Sequence, residues 1–410
     1  MQAIGMEPQG FDLDPARVES AKETMRRVWR YRPVDHVPIL IDIGPECGET
    51  VAAGLRDRRA WFSSSVCRIR RSLRVLPDDY VPWVGPPWAG FFAVPAMLGA
   101  SLWWEEDPNA FPAIRYPLVR EVADLDELPQ ADPRRHGFMP EVLERLALAR
   151  QCFPQEVAIC GVDMTSPLGD VLNLIDQTLF FVTLKRNPDA IHRACEHVTA
   201  TQIAVQEAVL EVMAQDAGRL AALSLWPIWH PEGAKVLVSD DVAGIIGPAV
   251  WKRFDMPYVH RLLRRFGGGM THNCGPQHSP ELVLHDDPPT DGLNCSCRYS
   301  CQDLPRLREE LGPRAEERLG RRGHLEVMFE RHLPLPDMLA GFRDLADALA
   351  PDVVAVPYCQ IPSDGTVSDQ EITAFYRAMR AVGEDYAARM RWSDDEHSAA
   401  DPGQGSCCTL

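Results

Sequence analysis

Residues 247–274, GPAVWKRFDMPYVHRLLRRFGGGMTHNC, decide the architecture. They read as a helix over 247–266 followed by a strand over 268–274. The same order recurs on both sides of this stretch. A helix at 139–152 leads to a strand at 157–163, and a helix at 187–214 leads to 219–226. A helix at 303–312 leads to 323–328, and one at 337–350 leads to 352–358. The run His36-Val-Pro-Ile-Leu-Ile-Asp-Ile43 and the segment 291–295 add apolar strands, and one more is expected within 80–100. Helices at 16–31 and 369–391 flank the set. Strands alternating with helices make βαβ units and a parallel sheet. About eight such strands predict a (β/α)8 TIM barrel with insertions and an N-terminal helical extension. An open doubly wound sheet is the competing α/β arrangement. Its glycine fingerprint is missing after the first strand, where the chain reads Gly44-Pro-Glu-Cys-Gly48. Gly267-Gly-Gly269 enters a strand rather than leaving one, which speaks against a phosphate loop.

The chain has 410 residues, with 42 Lys+Arg against 59 Asp+Glu, a formal charge of −17. So acidic a balance argues against nucleic acid, which demands a basic face, and against an anionic membrane surface. No run reaches the roughly 18 apolar residues of a membrane span. The start lacks the pattern of a secretory signal. Twelve cysteines are too dilute for a disulfide scaffold and point to free thiols, metal ligands or catalysts in a reducing cytoplasm. Residues 1–15 read as a flexible leader, 16–391 as one barrel domain and 392–410 as a disordered tail. The final Cys407-Cys-Thr-Leu410 matches a loose prenylation box without a polybasic companion, and is read as a chance match. Segment 77–117 is dense in Trp and Pro, including Trp83, Trp88, Trp103 and Trp104. It is read as short strands and structured loops, either a lid over a pocket or a loop packed outside the barrel.

His272 and Cys274 alternate along a strand and so share a face. At the C-terminal end of a barrel strand that face is the active-site mouth. Imidazole with thiolate suits zinc, whose catalytic sites use three protein ligands and an open position. Cys359, ending the apolar run 352–358, is the expected third ligand, with Glu326 or Glu330 available as a fourth. Cys295, Cys297 and Cys301 form a second cluster, read as small residues lining the mouth, as alternate ligands or as the remnant of an Fe–S site. Cys47, Cys67, Cys152, Cys160 and Cys195 read as packing residues. Trp226, Trp229 and His230 follow a strand and are expected on the same rim. There His230 is a candidate acid–base group and the tryptophans are candidates for shaping the pocket. Asp240 is a second catalytic candidate. Asp241 is a substrate-binding candidate, although Ser239-Asp240-Asp241 is equally readable as a helix cap. Asp42 and Asp163 are carboxylates in apolar runs, which cost free energy unless partnered, and are expected to bind substrate.

These residues resemble the uroporphyrinogen decarboxylase superfamily. Arg32-Pro-Val-Asp-His-Val-Pro-Ile39 looks like its opening motif, and Asn187-Pro-Asp-Ala-Ile-His192 like one of its helix starts. Ser239-Asp-Asp241 through Phe254-Asp-Met-Pro-Tyr258 and the His272-Asn-Cys274-Gly275 element complete the resemblance. It spans roughly residues 18–390 and is closest to the zinc-dependent corrinoid methyltransferase branch. The resemblance implies a barrel with zinc on His272, Cys274 and Cys359. It also implies methyl transfer between a corrinoid and a thiol or similar small-molecule acceptor. No Asp-x-His-x-x-Gly segment occurs, so the corrinoid, a cobalamin-type carrier, is expected on a partner protein. The metal-free decarboxylase branch has an arginine-rich motif after its first strand. Here that place reads Asp42-Ile-Gly-Pro-Glu-Cys47, which weakens that alternative. A non-catalytic barrel that binds a tetrapyrrole or a partner is the alternative from another class. Tyr358 stands where the branch has Gly, and the cysteines at 295–301 are extra.

Overall fold

The computed structural model describes residues 10–86, 92–104, 106–110, 112–115, 117–222, 229–231, 236–287, 290–362 and 365–393. Its strands are β1 (Leu40–Ile43), β2 (Trp83–Val84), β3 (Leu102–Trp103), β4 (Ala113–Ile114), β5 (Ala158–Cys160) and β6 (Leu220–Ala222). They continue with β7 (Val236–Ser239), β8 (Gly269–Asn273), β9 (Thr290–Ser296), β10 (His324–Phe329) and β11 (Val354–Ile361). Six of them form one parallel sheet in the order β1-β11-β10-β9-β8-β7, and β2-β5-β6 form a second parallel sheet. Among the described residues an isolated bridge between Thr165 and Ser239 links the two. The result is an α/β fold built on a curled parallel half-barrel. Among the described residues no ladder joins β1 to β2, so eight-fold closure is not seen in the hydrogen bonding. The cause is local: β2 is two residues long and lies between Pro82 and Pro86, which have no N–H to give a neighbour.

Helices follow their sequence signals closely. Met139–Cys152 matches its expected span, and Pro188–Met213 and Leu335–Leu349 differ from theirs by a residue or two. Asp369–Arg389 starts on a capping box made by Ser368 and Glu371. The helix expected over 247–266 is two, Pro248–Phe254 and Met256–Arg265, broken at Asp255. Pro257 has no N–H to continue the first helix. The Asp255 carboxylate is used elsewhere, accepting from Leu168 N at 3.1 Å. Two helices, Val51–Arg56 and Arg58–Val75, cover a stretch for which periodicity gave no element. They are set by side-chain caps at Thr50 and Asp57. Segment 77–117 does hold short pieces, among them β2, the antiparallel β3–β4 pair and the helix Ala93–Met97. Trp88 and Trp226 lie outside the described residues, as do residues 394–410. The first tail residues are tied down: Trp392 Nε1 donates to Ala387 O at 2.9 Å and Ser393 N to Tyr31 O at 2.8 Å.

The helix Pro15–Trp29 buries Val18, Ala21, Met25 and Val28, the apolar side its sequence shows. Trp29 closes the N-terminal end of the sheet, stacking on His324, the first residue of β10, with ring centroids 4.5 Å apart. Strand pairing then defines an inner face. Ser239, His272, Asn294, Glu326 and Val356 are successive register partners across β7, β8, β9, β10 and β11, and therefore point the same way. Four of these five are polar and buried, which only a bonded network makes tolerable.

A second buried polar group sits beside β5 and β7. Asp170 accepts from Thr165 Oγ1 at 2.6 Å and from Gln202 Nε2 at 2.7 Å. Burial pushes its pKa up to about 7, aided by the charges of Asp163 and Asp255. A carboxyl raised in the fold binds a proton that the unfolded chain releases near pH 4. It therefore favours the fold at low pH, and that contribution fades as pH rises from about 4 to about 7. In Asp170→Asn the decline of stability over this window should be shallower by about one proton, on the order of 1.4 kcal/mol per pH unit. Thermal melts of both proteins between pH 5 and 7.5 measure it, and parallel curves would refute it.

Candidate metal centre

At the C-terminal end of β8, Asp241, His272 and Cys274 place one ligand atom each within 4.8 Å of one another. β8 and the extended residue after it hold His272 and Cys274 on one face, two positions apart. Asp241 opens the short turn Asp241–Gly244 after β7. Its Oδ1 accepts from Cys274 N at 2.8 Å and lies 3.6 Å from His272 Nε2. His272 is buried, whereas Cys274 and Asp241 are partly open to solvent. Burial, and then the Asp241 carboxylate, push the Cys274 thiol well above its usual range. A carboxylate, an imidazole and a thiol sulfur converge at the strand end. Tetrahedral zinc with ligands at about 2.0–2.3 Å sets them roughly 3.3–3.8 Å apart, so this set needs a contraction of about 1 Å.

The supporting shell fixes which imidazole nitrogen faces the cluster. His272 Nδ1 donates to Asn294 Oδ1 at 2.7 Å, leaving the Nε2 lone pair toward Asp241. Asn294 Nδ2 donates to Glu326 Oε2 at 2.8 Å, and Glu326 Oε1 accepts from His230 Nε2 at 2.9 Å. This chain crosses the inner face from the N-terminal end to the ligand-bearing end. Asn273 shapes the loop after Cys274: its Oδ1 accepts from Gly275 N at 2.8 Å and its amide donates to Gln277 Oε1 at 3.0 Å. A Cβ on Gly275 would lie 3.2 Å from both Asn273 Oδ1 and the Gly244 backbone, so the loop closes on a small residue. Ser296 donates to Glu330, whose other oxygen is buried without a hydrogen-bond partner. An Asn294→Leu variant keeps the volume and loses the orienting bond. We expect it to bind zinc about 10–100-fold more weakly, read by chelator competition. Unchanged affinity would show that Asn294 does not orient the ligand.

Several expected site residues fall elsewhere. Cys359 pairs in register with Ile41 and Phe329 and is fully buried on their side, facing the helix layer beside Cys297. The inner position next to it belongs to Tyr358, in register with Leu40 and Met328. The third member of the cluster is therefore Asp241 and not Cys359. The reason is strand parity, since a one-residue offset reverses the face. Asp240 also turns outward. It is 2% exposed, its Oδ2 accepts from Trp251 Nε1 at 2.6 Å, and burial beside Asp255 raises its pKa well above the usual carboxylate range. It anchors the helix Pro248–Phe254 and neither reaches the cluster nor caps the turn with its side chain. His230 and Trp229 sit at the N-terminal end and not on the ligand-bearing rim. His230 packs on Trp29 with ring centroids 5.4 Å apart, and Arg26 lies 5.2 Å from the Trp229 ring centre. His230 lines a small cavity with Val236, Gly269 and Asp291, where β7, β8 and β9 begin.

Asp42 and Asp163 do reach the inner face. Asp42, on β1, accepts from the Tyr358 hydroxyl, and Arg68 lies 3.4 Å over the neighbouring Trp83 ring. Asp163 accepts from Ser239 Oγ at 3.1 Å. Neither joins the cluster. Sequence reasoning missed Asn294 and Ser300. Asn294 carried a usable signal, a polar residue inside the apolar run 291–295. Ser300 carried none.

A sequence model of the family described as "Uroporphyrinogen decarboxylase (URO-D)" matches residues 89–217. No curated protein matches the chain. Among solved structures, a methyltransferase from Methanosarcina mazei is similar in fold, with a TM-score of 0.64 and 16% identity over 88% of this chain and 98% of that one. The resemblance read from the motifs is thus borne out, and about a third of the chain carries the uroporphyrinogen decarboxylase sequence signature. That match takes in Asn187–His192 but ends before the His272-Asn-Cys274-Gly275 element.

Proposed function

We propose that this protein is a zinc-dependent methyltransferase acting with a corrinoid carried by a partner protein, on a completed (β/α)8 barrel in the cytoplasm. The convergence of Asp241, His272 and Cys274 carries the reading. Burial and the Asp241 carboxylate keep Cys274 as a neutral thiol, and the lone pair of an oriented imidazole faces the pair, an arrangement in which a divalent cation would favour the thiolate. These three residues would hold the metal. Glu330 is the fitting fourth, because one of its oxygens is buried without a partner while both oxygens of Glu326 are engaged. When bound, zinc supplies a Lewis acid that makes an incoming thiol nucleophilic at neutral pH. The protein's own part is to orient His272 through Asn294, to hold the Cys274 loop through Asn273, and to line the inner face with Asp42, Asp163, Tyr358 and Trp83 for the small-molecule substrate.

A metal-free decarboxylase needs cationic side chains for several carboxylates. Arg68, which shares the surroundings of Tyr358 with Asp42, is stacked on Trp83 and donates to Trp83 O at 2.7 Å, so the methyltransferase reading is preferred. The test follows the corrin spectrum when protein, methylcobalamin and a small alkyl thiol are mixed. Loss of the methyl–cobalt band should depend on the protein and vanish in His272→Ala. The absence of demethylation with thiol or other acceptors would overturn the reading.

A further inference from the structure

Four cysteines occupy the layer between the sheet and its helices, on the side away from the candidate metal centre. Cys295 lies on β9 between the inner-facing Asn294 and Ser296, so its thiol faces outward and is fully buried. Cys301 opens the turn Cys301–Asp303 six residues later and is half-buried. The two Sγ atoms are 3.8 Å apart. Cys297 and Cys359 share the layer, but neither comes this close to a second thiol among the described contacts. The position of the pair in the chain gives it reach. Asn294 orients His272. Ser300, adjacent to Cys301, has a hydroxyl 2.9 Å from Asn273 O and 2.7 Å from Gly275 O, the carbonyls on either side of Cys274. One hydroxyl thus pins the loop that carries Cys274, and the next residue in the chain bears the accessible thiol.

We infer that Cys295 and Cys301 are a reversible dithiol–disulfide pair, oxidised by a low-molecular-weight disulfide, and that forming the bond releases the Ser300 pin on the Cys274 loop. Only its consequence for metal binding rests on the function proposed above. A disulfide needs sulfurs about 2.05 Å apart, so the thiols close by roughly 2 Å, within the reach of side-chain rotation and a small shift of the turn. Cys295 is fixed in a strand, so the turn moves and takes Ser300 with it. The half-buried Cys301 reacts first. Its thiol gives up a proton, the thiolate attacks the oxidant RSSR, and an S–S bond to Cys301 forms as RS⁻ leaves and takes up a proton. The Cys295 sulfur then attacks Cys301 Sγ, and the second RS⁻ departs with the Cys295 proton. Two protein thiols are oxidised and one RSSR is reduced to two RSH. In reducing compartments such pairs are transient sensors rather than structural staples.

The test uses the full chain in oxidised glutathione, with non-reducing peptide mapping and amide exchange over residues 272–275. A Cys295–Cys301 link should be the dominant internal disulfide. Exchange over 272–275 should rise by at least about tenfold in the oxidised protein and return with dithiothreitol. Cys301→Ala should show neither change, and it avoids the fully buried Cys295, whose replacement risks misfolding. A dominant link elsewhere, no link, or identical exchange in both redox states overturns the inference. Zinc content measured on the same samples separates the two claims. A metal-free protein that still links sinks the zinc reading and leaves the pair. A zinc-loaded protein that does not link sinks the pair alone.

Discussion

Replacing Cys274 by serine should strip the chain of zinc, while replacing Cys359 by serine should leave the metal in place. Cys274 offers its sulfur to the shared space with Asp241 Oδ1 and His272 Nε2. Serine there replaces a soft anionic donor with a neutral hydroxyl, and zinc affinity should fall by more than the roughly 10–100-fold that loss of a supporting residue costs. Cys359 stands in register with Ile41 and Phe329 in the helix layer, where serine costs some burial energy and touches no ligand. Metal analysis of the two purified variants reads the difference. Equal zinc loss in both would return Cys359 to the ligand set and show that β11 shifts by a residue when metal binds. The first reading of the sequence treats the two cysteines as equivalent, and this pair of variants distinguishes them.

Gly269→Ala should be the most damaging single-methyl change in the sheet. Gly269 begins β8 beside β7, and an added Cβ would fall 1.8 Å from Val236 O. No side-chain rotation relieves a clash with backbone. Either the β7–β8 ladder opens or the strand start is displaced, and His272 and Cys274 ride on that strand. A cost of about 4 kcal/mol or more is expected, at the large end of single-residue effects. The melting temperature should drop by roughly 5 °C or more. Gly247→Ala is the matched control, because nothing lies within 4 Å of its Cβ position. Thermal unfolding followed by circular dichroism checks both, and a Gly269→Ala protein that melts like the control would contradict the close approach.

The α/β alternation was legible because each helix carries its own stop and start signals. The glycines after Phe266 and the prolines at helix N-termini mark boundaries without tertiary information. The pairing of His272 with Cys274 was legible for a similar reason, since a period of two places alternate residues together. Closure of the barrel was not, because a sheet closes through its weakest strand and β2 is two residues between prolines. The side on which Cys359 falls was not legible either. Composition marks a strand end, but only the partner strand sets its face. His230 was misplaced because the sequence shows which strand it follows and not how soon the next begins. The return to β7 at Val236 carries it to the opposite end. There it becomes the far end of the chain through Glu326 and Asn294 to His272, a role no local pattern announces.

Asp241, His272 and Cys274 are proposed to bind one zinc ion. Metal content of the native chain, purified without chelators and measured by mass spectrometry against protein concentration, tests it most directly. About one zinc per chain is expected, lost in His272→Ala with the fold retained. A folded, active native chain that holds no metal, even after dialysis against zinc, would contradict it.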